Sequence, residues 1–75
     1  MPHIMVKIRK GTPEDQKQQL AGAIVEDVVH IIGCSEDSVS VAMEEIDPKD
    51  WKQMVYDPLI QGKKDALYKK PGYDM

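Results

Sequence analysis

The chain has few of the groups that stabilise very small proteins. Its 75 residues include one cysteine, so no disulfide can form within a single chain. Two histidines and that cysteine are too few and too scattered for a structural zinc site. A domain of this size buries only about 60–65% of the surface of its unfolded chain. We therefore expect association with a second copy to supply the missing stability.

Three further absences restrict where the protein acts and what it binds. No apolar run approaches the ~20 residues of a membrane span, and the N-terminal segment is too short and too polar for a signal peptide. These features predict a cytoplasmic protein with no membrane partner. The net charge is −3 and the lysines are dispersed, which argues against a nucleic-acid partner. The glycines are isolated, so no phosphate-binding loop is expected.

Hydrophobic spacing predicts a strand, a long helix and a second strand. Residues 3–9 alternate between apolar and polar, which is the period of a strand with one apolar face. Residues 13–32 follow helical spacing, with Thr12 expected to cap the helix and Gly33 to end it. A second alternating segment covers residues 38–46. Strands joined in this way should be parallel, with a right-handed crossover.

The remaining residues carry two further helix starts, each an aspartate followed by proline. Pro48 should begin a short helix with Trp51 in its first turns, and Pro58 another that runs to about Lys69. The predicted fold is a single α+β domain over residues 1–75, a βαβ unit with one long helix and short C-terminal helices. Two strands under one helix leave edges and a face uncovered. Two copies paired about a two-fold axis into a four-stranded sheet would cover them.

The first two residues, Met1 and Pro2, form the chemically most informative motif. Initiator methionine is usually removed when the next residue is small, and removal would leave Pro2 with a free secondary amine. Burial in an apolar pocket disfavours the charged form of an amine, so more of it would be neutral base near neutral pH, where general bases work best. Many proteins begin Met-Pro, so this pair alone does not establish catalysis.

Several motifs match one known family in order and spacing. They are Met1-Pro2, Gly11-Thr12-Pro13-Glu14-Asp15-Gln16-Lys17, Ile32-Gly33, Asp37-Ser38-Val39-Ser40-Val41 and Glu45-Ile46-Asp47-Pro48-Lys49-Asp50-Trp51. Together they resemble the 4-oxalocrotonate tautomerase family over nearly all of the chain. The tail, which ends Lys69-Lys70-Pro71-Gly72-Tyr73, resembles the small dimeric bacterial tautomerases of the phenylpyruvate type.

The resemblance implies a cofactor-independent keto-enol tautomerase. Pro2 would be the general base, acting on a small enol or 2-oxo acid such as enol-phenylpyruvate, and Trp51 would line the substrate pocket. No metal or cofactor is expected, and the working unit would be a homodimer with each active site near the subunit boundary. Members that act on dicarboxylates carry arginines at the positions of Thr12 and Ser40. A substrate with one carboxylate or none is therefore expected, with Ser40 as a candidate polar contact.

Two alternatives to a tautomerase remain open. Relatives use the same amine as an acid, which would give a hydratase, dehalogenase or decarboxylase. A non-catalytic dimeric module would keep the scaffold with Pro2 walled off from solvent or outside any pocket.

The other reactive side chains have structural interpretations. His3 is expected to be structural, His30 to lie at the surface and Cys34 to be inert. Packing of the tail is expected to involve the three tyrosines, Tyr56, Tyr68 and Tyr73.

Overall fold

The computed structural model describes residues 1–75 and opens with the predicted strand, helix and strand. Strand β1 covers His3–Arg9, helix α1 covers Glu14–Ile32 and strand β2 covers Ser40–Ile46. The second strand begins later than predicted because Glu36–Ser38 form a 3₁₀ turn. The βαβ arrangement expected from the hydrophobic spacing is confirmed.

The two strands form one parallel sheet, with His3 opposite Ser40 and Ile8 opposite Glu45. Lys17 of α1 donates a hydrogen bond to the Glu45 carboxylate at 3.3 Å. Helix α1 therefore lies over the sheet face that carries Ile8 and, because side chains alternate, Ile4 and Val6. The opposite face, which carries His3 and Ser40, has no long helix over it.

Helix α1 ends as predicted but does not begin as predicted. Thr12 does not cap it: the Thr12 hydroxyl donates to the backbone carbonyl of Arg9 at 2.9 Å, and Pro13 takes the cap position without a side-chain hydrogen bond. Gly11, with φ of 99°, reverses the chain here and turns Thr12 back onto the strand. Gly33, with φ of 82°, ends the helix in the left-handed conformation.

The prediction of a helix from Pro58 to Lys69 is wrong. A 3₁₀ turn at Pro48–Asp50 leads through Trp51 into helix α2, Lys52–Gln61, which has π-helical geometry and runs through Pro58. Beyond it, only a 3₁₀ turn is found, at Lys64–Ala66. Proline has no N–H and would clash with the carbonyl four residues earlier in an α-helix. The wider winding, with hydrogen bonds five residues apart, accommodates this proline.

Very little of the single chain is buried. Three of 75 residues are buried, namely Ile46, Val55 and Tyr56. Helix α1 buries none of its residues, and Ile31 and Ile32 are 79% and 65% exposed. Burial of apolar surface is the main term that favours folding. The sparse core therefore agrees with the expectation that a second copy covers part of this surface.

None of the helices is both long enough and apolar enough to span a membrane.

Candidate active site

Pro2 lies just before β1 and is held by the start of β2. Its carbonyl accepts a hydrogen bond from the backbone N–H of Ser40 at 3.1 Å. The residue is partly exposed, and Met1 before it is fully exposed, at 102%. Pro2 is thus not walled off from solvent. However, it lines none of the cavities of the single chain.

Ser40 joins Pro2 to a second polar group. Its hydroxyl oxygen lies 2.6 Å from His3 Nδ1, and the two residues are opposite each other in the sheet register. The pair lies on the sheet face away from α1. Of the predicted site residues, the structure therefore brings Ser40 next to Pro2. His3, expected to be structural, lies beside it as a hydrogen-bond partner.

Trp51 lies at the other end of the sheet, in an open cleft of about 490 Å³. The cleft is placed where β1 ends and where the chain leaves β2. Its lining residues are Arg9, Pro48, Trp51, Tyr73, Asp74 and Met75. The indole Nε1 of Trp51 donates a hydrogen bond to the Tyr73 hydroxyl at 3.0 Å. The C-terminal tail therefore supplies one wall of the cleft.

The tail is anchored through a pair of tyrosines. The rings of Tyr56 and Tyr73 have centroids 5.8 Å apart and planes tilted by 37°, an arrangement that favours aromatic contact. Tyr56 is buried, and its hydroxyl lies 3.5 Å from Asp74 Oδ1. The prediction that tyrosines pack the tail is confirmed for these two. It is wrong for Tyr68, which is fully exposed at 107% and follows the 3₁₀ turn Lys64–Ala66 rather than lying in a helix.

One chain does not bring Pro2 and Trp51 together. Pro2 precedes the first residue of β1, whereas Arg9, in the Trp51 cleft, is its last residue. A strand rises about 3.3 Å per residue, so the two ends are roughly 23 Å apart. The predicted site residues thus fall into two places. Sequence reasoning did not place Arg9 and Tyr73 in the site, because only the folded tail and strand end bring them to Trp51.

Most ion pairs lie away from both Pro2 and the Trp51 cleft. Lys17 bridges Glu14 and Glu45 between α1 and the sheet, with 3.3 Å to each carboxylate. The hydrogen bond to Glu45 raises the pKa of Lys17, and hydrogen bonds from Gln18 and Lys17 lower the pKa of Glu14. No group of three histidine, cysteine, aspartate or glutamate side chains could hold a metal ion. Arg9 takes part in none of the ion pairs.

Comparison with known proteins identifies the class. The model of the tautomerase family, described as tautomerase enzyme, matches residues 2–55. The chain belongs to this family, and the enzyme is a tautomerase, a kind of isomerase.

Individual relatives agree with this assignment. The chain is 45% identical over 74 residues to Tautomerase PptA of Pectobacterium carotovorum, a match that covers 97% of each chain. It is 41% identical over 73 residues to a probable tautomerase of Xylella fastidiosa, which covers 97% of this chain and 89% of the relative. Its structure is similar to a 4-oxalocrotonate tautomerase isozyme from Methylibium petroleiphilum, with a TM-score of 0.63 and 27% identity over 64% of this chain and 75% of the other.

Proposed function

We propose that the protein is a cofactor-independent keto-enol tautomerase whose general base is the amine of Pro2 after removal of Met1. The substrate is a small enol or 2-oxo acid, such as enol-phenylpyruvate. Membership of the tautomerase family is the observation that carries this proposal. Support comes from the position of Pro2 at the start of β1, partly exposed and preceded by a fully exposed Met1.

The proposed reaction moves one proton. The neutral nitrogen of Pro2 takes a proton from an enol hydroxyl or an α-carbon and returns it to the neighbouring carbon. The enolate formed in between needs hydrogen-bond donors aimed at its oxygen. Ser40, whose hydroxyl is 2.6 Å from His3 Nδ1 and whose N–H bonds the Pro2 carbonyl, is the candidate donor that we propose. A positioned general base contributes about 10²–10⁴-fold to the rate.

We place the complete site between two copies of the chain in a homodimer. The sheet has two strands, so β1 has a free edge opposite β2. Antiparallel pairing of two β1 strands about an axis near Val6, the midpoint of His3–Arg9, would bring Pro2 of one chain to the Arg9 end of the other. Each Pro2 would then face the Trp51 cleft of its partner. This arrangement explains why the single chain separates the predicted site residues.

A non-catalytic dimeric module is the second candidate, because Pro2 lines no cavity of the single chain. Two measurements on one preparation separate it from the tautomerase. The intact mass shows whether Met1 has been removed, and turnover is then followed on enol-phenylpyruvate. The processed chain should be active, whereas a chain that keeps Met1 should be inactive because its Pro2 nitrogen is an amide. Equal turnover by both forms would contradict the proposal, and no turnover by the processed form would favour the module.

A further inference from the structure

We propose that Arg9 binds the carboxylate of an aromatic monocarboxylic acid in the Trp51 cleft, and that Tyr73 of the tail positions Trp51 to receive its ring. This inference rests on the proposed function and assigns the substrate-binding end of the same site. The chain lacks the family's arginines at the positions of Thr12 and Ser40, and Arg9 would supply the contact to the carboxylate from a different position. It also gives the tail, which lies beyond the family match at residues 2–55, a part in specificity.

Arg9 has a guanidinium group free to take a ligand. It is the only arginine of the chain, it is exposed at the end of β1, and it lines the cleft. Its side chain takes part in no ion pair and in no hydrogen bond. Asp74 lines the same cleft, but its Oδ1 lies 3.5 Å from the Tyr56 hydroxyl and does not pair with Arg9. The planar guanidinium fork matches a carboxylate with two parallel hydrogen bonds.

The other side of the cleft is suited to an aromatic ring. The indole N–H of Trp51 is satisfied by the Tyr73 hydroxyl at 3.0 Å, so a ligand need supply no acceptor for it. Tyr73 itself stacks on the buried ring of Tyr56, which fixes the wall. Aromatic pairs gain from offset or edge-to-face contact beyond the area they bury. A cleft of about 490 Å³ is within the ordinary range for a small organic ligand.

The one cationic side chain of the cleft and its aromatic wall together select the ligand class. A single guanidinium satisfies one carboxylate, whereas a second carboxylate on the ligand would find no other cation in the cleft, which Asp74 also lines. An aliphatic acid would leave Trp51 and Tyr73 without a partner of matching shape. The chemistry therefore favours a ring and one carboxylate over a linear dicarboxylate.

The test is a binding titration that needs no turnover. Trp51 is the only tryptophan, so intrinsic fluorescence reports on the cleft directly. Phenylacetate, which cannot tautomerise at the enzyme, is compared with its neutral isostere phenylacetamide on the unaltered protein. We expect phenylacetate to bind about tenfold more tightly, because a charge-assisted contact is roughly twice as strong as a neutral one. Equal affinities for the two ligands would overturn the proposal without any variant.

Variants show which residues cause the difference in affinity between the two ligands. Arg9→Gln should weaken phenylacetate binding about tenfold and leave phenylacetamide unchanged, with Arg9→Lys in between. Lys49→Gln is the matched control, since this exposed lysine lies beside the cleft in sequence but does not line it. Tyr73→Phe keeps the ring and removes only the Trp51 contact, and Tyr73→Ala removes the wall. An equal effect of Arg9→Gln and Lys49→Gln, or none from Tyr73→Ala, would contradict the assignment.

Pro2→Ala separates this inference from the proposed function. If both are right, it loses turnover and still binds phenylacetate as the unaltered protein does. If Pro2→Ala keeps its turnover and phenylacetate binding still depends on Arg9, the proline mechanism is wrong and the role of the cleft is still supported. If Pro2→Ala loses turnover but Arg9→Gln binds phenylacetate normally, the role of Arg9 in the cleft is wrong and the proline mechanism is still supported.

Discussion

Replacement of Tyr56 tests whether the anchored tail contributes to the stability of this small fold. Tyr56 is one of three buried residues and its ring contacts Tyr73 at 5.8 Å. Truncation of a buried aromatic to alanine costs about 3–5 kcal/mol, and the lost aromatic contact adds ~1 kcal/mol. A chain of 75 residues has a total stability of about 4–11 kcal/mol. Tyr56→Ala should therefore remove a large part of the stability.

The assay is urea unfolding at fixed protein concentration, followed by Trp51 fluorescence, because the stability of an oligomer depends on concentration. Tyr56→Phe is the matched control. It keeps the ring and loses only a 3.5 Å contact to Asp74, so its cost should stay below about 1 kcal/mol. If the free energy of unfolding of Tyr56→Ala lies within about 1 kcal/mol of that of the unaltered protein, the anchored tail contributes little to stability.

Three further outcomes are expected. The pKa of Glu14 is lowered from its usual value of 4.5, so ionised Glu14 stabilises the fold above pH 4.5. This stability is lost as the pH falls through the folded-state pKa, and Glu14→Gln should reduce that loss in unfolding measured at acid pH. An aromatic enol with one carboxylate should exceed a dienol dicarboxylate in kcat/KM on one enzyme preparation, and the reverse order would count against the Arg9 cleft. Sedimentation equilibrium of the intact chain should give a homodimer at micromolar concentration; a monomer would exclude the paired β1 edges, and a hexamer would contradict the dimer as the working unit.

The βαβ unit could be predicted because each of its elements is determined by local patterns. Alternating residues define β1, helical spacing defines α1, and Gly33 ends α1 because glycine adopts positive φ without strain. The same local rules gave two errors. Pro58 marks a helix start in isolation, yet here a wider helix passes through it. Thr12 has the chemistry of a cap, but the turn at Gly11 directs its hydroxyl to the strand.

The candidate site was less predictable than the fold because it depends on contacts distant in sequence. Hydrophobic spacing predicted parallel strands, but only the structure shows the register that sets His3 opposite Ser40 and brings Ser40 beside Pro2. Tyr73 is 22 residues from Trp51, and no local pattern shows where the tail returns after its turn. Within one chain, Pro2 and Trp51 lie at opposite ends of the sheet. Only the proposed dimer would join the two halves.

Pro2→Ala, in a chain whose mass shows that Met1 has been removed, tests whether the Pro2 amine is the base. Turnover is measured on enol-phenylpyruvate, beside Gln19→Ala as a control at an exposed residue of α1 that lines no cavity. We predict a fall of about 10²-fold or more for Pro2→Ala, with some activity left by the new primary amine, and little change for Gln19→Ala. Unchanged turnover in a folded, processed Pro2→Ala variant would show that the Pro2 amine is not the base.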